Sequence, residues 1–279
     1  VFRAACDKPR VVRAAAEAGI AVPRQRVVER PEARMEIGPA DVAFPVVLKP
    51  SRSVVEAGGG RGKTRVVHAA DWVRMQAGLA DLPRAAYPVL VQERVNGPGT
   101  GIFLLTWDGR VRAAFAHRRL REKPPSGGVS VYRESVAPDP SLLARAAALL
   151  AALGWRGVAM VEMKTDASTG TPYLMEVNGR FWGSLQLAVD AGVDFPRLLL
   201  DAAFGAPPAP PPPWRPGVRS RWEWGEVDHL LARLRRSRAE LHLPPEAPGR
   251  GRALLDFLSV HRGDRREVFR GRDPAPALR

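Results

Sequence analysis

Between residues 158 and 180 the chain places two carboxylates, Glu162 and Glu176, an amide, Asn178, and a guanidinium, Arg180, around the turn-forming stretch Asp166-Ala167-Ser168-Thr169-Gly170. Residues 158–164 and 173–177 are rich in apolar strand formers, so the segment predicts two antiparallel strands joined by a turn. With the turn centred near Thr169, Glu162 lies opposite Glu176. Side chains alternate faces along a strand, so Asn178 and Arg180 join the two acids on one side if the strand continues that far. Like charges directly opposed across a ladder destabilise a sheet unless something positive sits between them. A divalent cation answers that need. Mg²⁺ takes oxygen ligands and is commonly held by one or two carboxylates together with substrate phosphates, so a nucleotide is implied as well. The bland alternative is a solvated hairpin with both acids in water. An oxygen donor and a cation beside the acids weigh against it and suit a corner that binds phosphate and metal.

The lysines carry a second signal. The chain has 43 basic residues, yet only Lys8, Lys49, Lys63, Lys123 and Lys164 are lysines. Where arginine serves almost everywhere, a retained lysine marks a position that needs a compact ammonium rather than a planar fork. Contact with a nucleotide phosphate is one such need.

Composition bounds the remaining classes. At 279 residues the chain can bury a large core, and 45% hydrophobic and 26% charged content is ordinary for a globular protein. The single cysteine, Cys6, excludes an internal disulfide framework and suits a reducing compartment, so a cytoplasmic location is expected. No apolar run approaches the length of a membrane span, and no signal peptide is evident. A formal net charge of +14 raises nucleic-acid binding. The basic residues are spread along the chain, densest at 118–123, 233–238 and 262–270, with no nucleic-acid motif beside them. The excess therefore reads as an arginine-rich habit, and neither a specific nucleic acid nor a membrane is expected as partner. Oligomeric state is not legible.

Stepping outward to the elements that hold these residues, Asp7 caps a helix over residues 8–18, with Gly19 just past its end. Strands are expected at 44–48, 64–68 and 89–95, with a helix at 71–82. Strands at 102–107 and 111–116 flank the tight-turn dipeptide Asp108-Gly109. Asp139-Pro140-Ser141 opens a helix ending near Gly154, and two more helices follow at 185–191 and 195–204. Residues 207–213 are a proline-rich break, and a helix over 226–238 lies beyond it. Mixed strands, hairpins and helices indicate an α+β fold.

Ala57-Gly58-Gly59-Gly60-Arg61-Gly62-Lys63-Thr64 departs from the phosphate-binding P-loop pattern only at its first position. A P-loop lysine must open a helix, whereas Thr64-Arg65-Val66-Val67-His68 is β-branched and strand-like. The glycines are therefore expected at a hairpin tip, where a backbone without side chains can still fold over phosphates. A plain surface loop is the competing reading.

In this order, a lysine at a helix start, a lysine at a strand end, a glycine hairpin, a linking strand and the acidic hairpin resemble the ATP-grasp superfamily of ATP-dependent carboxylate–amine ligases. The resemblance covers roughly residues 5–205 and is most specific at Glu162 and Glu176-Val177-Asn178-Gly179-Arg180. It implies an α+β ATP-grasp fold, two subdomains clasping a nucleotide. It assigns residues 1–205 to that domain, with the lid hairpin within about 44–95, 206–216 to a linker and 217–279 to a basic extension. It also implies a preceding α/β domain, usual in the superfamily and not found in this sequence.

Carried over by position, the resemblance gives Lys8 and Lys49 to ATP phosphates and Gly58, Gly59, Gly60 and Gly62 to the lid. It makes Gln92, Glu93 and Val95 the adenine-reading hinge. Glu162, Glu176 and Asn178 become Mg²⁺ ligands, with Mn²⁺ as a substitute, and Arg180 steadies the transferring phosphoryl group with Lys49. After the hinge the chain has Asn96-Gly97-Pro98-Gly99 where many relatives have an acid for the ribose. The basic loop at 117–123, beside Ser126-Gly127-Gly128, is the candidate for holding the substrate carboxylate through Arg118, Arg119 or Arg121, with Gly127 and Gly128 giving it room. The reaction implied is ATP-dependent joining of a carboxylate, such as an amino acid or small peptide, to an amine through an acyl phosphate. The alternative is a catalytically silent nucleotide-binding or interaction module.

Overall fold

The computed structural model describes residues 8–50, 54–57, 60–63, 66–207, 209–244, 246–270 and 275, with the backbone alone at 9, 54–57 and 60–63. Helix α1 (Lys8–Glu17) leads through β1 (Gln25–Val28) to β2 (Val46–Pro50), the hairpin β3 (Val54–Ala57) and β4 (Gly60–Lys63), and β5 (Val67–Ala69). Next come α2 (Trp72–Asp81), β6 (Val89–Glu93), β7 (Gly99–Trp107), β8 (Arg110–Lys123) and β9 (Val129–Ser135). The chain continues with α3 (Pro140–Ala152), β10 (Gly157–Thr165), β11 (Pro172–Asn178), α4 (Leu185–Ala191) and α5 (Phe195–Ala203). It ends in β12 (Arg219–Arg221), α6 (Glu223–Arg235), α7 (Arg250–Leu258) and β13 (Asp264–Arg266).

Three sheets result. A four-stranded sheet runs β1-β6-β2-β5, a seven-stranded sheet runs β11-β10-β7-β8-β9-β12-β13, and β3 pairs with β4 alone. The larger sheet is covered on both faces, and strand alternation decides which residues go where. Ile102, Leu104, Ala159 and Val161 face α1 and α3, packing with Val11, Ala15, Leu149 and Leu150. Their neighbours Phe103, Leu105, Val158 and Met160 turn to the other face and meet Leu187 and Phe195 of α4 and α5. A separate core forms under the small sheet, where Val46, Leu48, Val89 and Val91 pack on Met75 and Leu79 of α2. Two lobes with independent cores are therefore joined along the chain by the segments between α1 and β1 and between β6 and β7.

Local chemistry sets the boundaries. Asp71 caps α2 by accepting from the Arg74 N–H at 2.9 Å, and Asp139 caps α3 by accepting from the Ser141 N–H at 2.9 Å. Asp108 and Gly109 both take positive φ, 49° and 71°, at the tip of the β7–β8 hairpin.

Three expectations change. The stretch at 117–123 is not a loop; it continues β8, which pairs with β9 as far as Lys123. The single strand expected at 64–68 is replaced by β4 and β5, so the glycine hairpin is a small sheet of its own, with Gly60 and Gly62 on β4. Gly58, Gly59 and Thr64 lie outside the described residues. Lys63 closes a strand and opens no helix, as expected of a sequence that only imitates a P-loop. The segment beyond the prolines joins the main sheet: β12 pairs with β9 and β13 with β12.

Candidate functional site

The β10–β11 hairpin places Glu162 directly opposite Glu176 and Met160 opposite Asn178. A bulge after Glu162 makes the partner of Met163 Leu174, so Met175 is the extra residue. The register expected from the turn therefore holds at the two acids. The strand ends at Asn178, so Arg180 reaches the site from the bend that follows, where its guanidinium is exposed and donates to the Phe181 carbonyl at 3.0 Å. Asn178 donates to Glu176 Oε1 at 2.7 Å.

These residues line one cavity of about 1040 Å³ between the two sheets. Lys49, Gln92, Glu93 and Val95 line it from the small-lobe side, and Lys8 of α1 with Glu162, Glu176, Asn178, Gly127 and Gly128 from the large-sheet side. Lys8 donates to the Pro50 carbonyl, tying α1 to the end of β2. Burial pushes the Lys49 ammonium down to about 8; nearby Lys8 adds to this, while Glu176 and Glu162 pull the other way. Burial also raises the Glu162 carboxyl, with Glu176 adding to the shift and Arg119 opposing it. Glu162 thus sits poorly hydrated and directly opposite a second carboxylate, Glu176, a pairing that an added cation would stabilise.

The rare lysines converge in space. All four lysines with described side chains, Lys8, Lys49, Lys123 and Lys164, line this cavity. Lys164 had no assigned role; its rarity was the signal. Its ammonium sits 3.2 Å from where a Cβ on Gly127 would lie, and Gly127 has φ +126°, so this position admits only glycine comfortably.

The three candidate arginines separate. Arg119 alone reaches the cavity, 8% exposed, pairing with Glu162 Oε2 at 2.8 Å and Glu122 Oε1 at 2.8 Å and donating to the Gly128 carbonyl at 3.0 Å. Arg118 instead pairs with Glu134, and Arg121 with Glu226 at 2.7 Å while lying over the Tyr132 ring. The structure thus does not bring Arg118 or Arg121 to the cavity. Together with the Lys123–Asp228 pair, these contacts neutralise a stretch that looks basic in the sequence.

The hinge also differs in detail. The Gln92 side chain is already engaged, accepting from Lys49 Nζ at 2.6 Å and donating to Gln25 Oε1 at 2.9 Å, and the Glu93 N–H donates to the Arg24 carbonyl at 2.9 Å. His117 lies on the cavity floor in the same cross-strand row as Glu162 and Gly101. It is fully buried, its ring edge-on to Phe103, and burial holds its pKa well below the ordinary value. His117 is therefore neutral.

Among the described residues no group of three or more His, Cys, Asp or Glu could hold a metal alone. Two carboxylates and an amide fit Mg²⁺ only when phosphate oxygens complete the shell, which is how that ion is ordinarily bound. The cationic lining supplies a place for those phosphates. No described helix is long and apolar enough to cross a membrane.

Two lobes meeting over a cavity with opposed glutamates and lysines define an ATP-grasp fold. Residues 85–225, just over half the chain, match the family described as "ATP-grasp in the biosynthetic pathway with Ter operon", and the chain belongs to that family. Among solved structures, an L-amino acid ligase from Bacillus licheniformis aligns with TM-score 0.56 and 19% identity over 72% of this chain and 48% of its own. The N5-carboxyaminoimidazole ribonucleotide synthetase from Thermus thermophilus aligns with TM-score 0.56 and 16% identity over 78% and 56%. The biotin carboxylase domain of the Hydrogenobacter thermophilus 2-oxoglutarate carboxylase, a complex with MgADP and bicarbonate, gives TM-score 0.56 and 15% identity over 73% and 46%. The chain thus spans about half the length of these structures. No curated protein matches the chain.

Proposed function

We propose that the cavity binds Mg-ATP and that the protein is an ATP-dependent carboxylate–amine ligase. The observation that carries this reading is the facing pair Glu162 and Glu176, half-buried in the same cavity as Lys8 and Lys49. Bound between the two carboxylates, with Asn178 adding an oxygen, Mg²⁺ would neutralise charge on the transferring phosphate; Mn²⁺ has similar ligand preferences. Lys8 and Lys49 hold the phosphates, and Arg180, exposed at the cavity wall, swings to the phosphoryl group as it moves. The β3–β4 hairpin folds over the nucleotide and keeps water out.

A substrate carboxylate oxygen attacks the γ-phosphorus, the bond from that phosphorus to the β-bridging oxygen breaks, and ADP leaves. An amine then attacks the carbonyl carbon of the acyl phosphate; the C–N bond forms, the C–O bond to phosphate breaks, and the amine proton passes to solvent. Neither step needs a Ser, Cys or His nucleophile, since positioning and charge neutralisation supply the catalysis. The cationic wall of Arg119 and Lys164, beside Gly127 and Gly128, is where the substrate carboxylate would be held. An amino acid or small peptide carries the required groups. Residues 1–205 form the nucleotide-clasping unit in this reading, and the lone Cys6 supports a cytoplasmic location.

The test supplies purified protein with ATP, Mg²⁺ and pooled amino acids and follows phosphate release. Release dependent on the amino acids and abolished by Glu176→Ala is expected; nucleotide binding with no turnover would replace the ligase by a silent binding module.

A further inference from the structure

Residues 236–243 lie beyond the stretch that matches the family, yet they close one end of the cavity. They follow α6, which packs on β8 and β9 of the large sheet, and they reach the small lobe. The turn is held internally: the Leu241 N–H donates to the Ser237 carbonyl at 3.1 Å and the His242 N–H to the Ala239 carbonyl at 3.0 Å. Leu241 is buried, 3% exposed, and anchors it. His242 itself is exposed and lines the cavity, its ring stacked on His68 of β5 at 4.7 Å between centroids. Arg94, just past the hinge strand, donates to the His242 carbonyl.

Only two non-glycine residues among those described have positive φ, Asp108 at 49° and His242 at 47°. The tight β7–β8 hairpin explains the first. The second closes a Schellman-type turn, in which the Leu243 N–H donates to the Arg238 carbonyl and the His242 N–H to the Ala239 carbonyl, both at 3.0 Å, at a position glycine usually fills. The chemical character of this end differs from the rest. Lys49 is influenced by Lys8, Glu176 and Glu162, whereas His68 stands opposite Val47 across β2 and β5 and is influenced first by Arg94 and His242, with Lys164 and Lys49 after them. Burial lowers the His68 pKa to about 4, with Arg94 adding to the shift, and burial and Arg94 lower that of His242. Both rings are uncharged at neutral pH, so they offer a phosphate little and a flat base a stacking surface.

We infer that the tail turn completes the nucleotide site, with His242 packing its ring against the base of the bound nucleotide while the phosphates lie toward Lys8, Lys49 and the facing glutamates. This rests on the reading of the cavity as a nucleotide site and adds a wall supplied from outside the matched family region. Stacking works with any base, since every base presents a π face. The turn therefore contributes affinity for nucleosides as a class.

The test compares His242→Gly and His242→Phe with the unmodified protein, each titrated with MgADP and with magnesium tripolyphosphate, which has no base. Glycine accepts the positive φ and His242 is exposed, so the fold is retained while the ring is lost. The expected result is about a tenfold loss of MgADP affinity in His242→Gly, recovery in His242→Phe and unchanged tripolyphosphate binding throughout. Equal loss for both probes, or no loss for either, would overturn the inference. Absence of MgADP binding by the unmodified protein would instead remove the nucleotide reading, and this inference with it.

Discussion

The seven-stranded sheet carries two partly buried acid clusters that are balanced in opposite ways. Between β8, β9 and the tail, Glu226 and Glu134 have arginines in direct contact. Glu226, 1% exposed, takes Arg121 in a two-pronged pair and has Arg221 nearby, while Glu134 takes both Arg118 and Arg219. Burial pushes Glu134 up, but hydrogen bonds from Arg219 and Arg118 outweigh it and hold its carboxyl below the usual range. At β10 and β11 the balance is incomplete. One arginine, Arg119, touches Glu162, no ion pair among the described residues reaches Glu176, and the Glu162 carboxyl is pushed up. A cluster that serves the fold has its countercharges in place. A cluster that serves a ligand keeps its lysines in reach without contact and is completed by what binds.

That contrast is most exposed at Glu226. Glu226→Ala leaves Arg121 and Arg221 without their buried partner, and such losses cost about 3–5 kcal/mol. Urea unfolding should show that destabilisation, while MgADP affinity measured well below the transition stays within about twofold. Comparable stability in the variant would show that the tail cluster is not structural.

The opposite signature belongs to Glu176. Glu176→Gln should lower turnover by about 10²–10³, the usual effect of removing one preorganised electrostatic group. Its thermal midpoint should be unchanged or higher, because a like-charge contact is relieved. Loss of stability alongside loss of turnover would place Glu176 in the structural class.

Lys49 sharpens the same point through pH. In the free protein its ammonium titrates near 8. Phosphates beside it raise that value, so binding takes up a proton as pH approaches and passes 8. MgADP affinity should therefore fall above pH 8, by up to about tenfold per unit, and calorimetry in buffers of different ionisation enthalpy should register proton uptake. Lys49→Met should remove the slope. A flat profile in the unmodified protein would detach Lys49 from the phosphates.

The smallest effect is expected at Arg118, whose side chain is 52% exposed. Arg118→Ala should cost less than about 1 kcal/mol and leave nucleotide affinity unaltered. A marked rise in the KM for the substrate acid would return this residue to the site from which its orientation removes it.

Much of this was legible in the sequence where local chemistry decides the structure. Asp166 to Gly170 fixes the turn, the turn fixes the register, and the register puts Glu162 against Glu176. The sorting of Arg118, Arg119 and Arg121 was not, because β8 is irregular against β9 on both sides of Arg121. Simple alternation would put Arg119 and Arg121 on one face; the irregularities turn Arg121 to Tyr132 and Glu226 instead. The place of the tail turn against the cavity was not legible either, since it is fixed by contacts of His242 with His68 and Arg94, far away in the chain. Lys164 lay between these cases: its type was informative, its partner Gly127 was not.

The account stands on the opposed glutamates holding a nucleotide-bound divalent ion. Mn²⁺ titrated into the protein with and without ADP, and followed by its paramagnetic resonance signal, tests this directly. One Mn²⁺ per chain should be taken up with ADP, weakly without it, and uptake should be lost in the Glu162→Gln, Glu176→Gln double variant. A double variant that binds Mn²⁺ and ADP as tightly as the unmodified protein would contradict it.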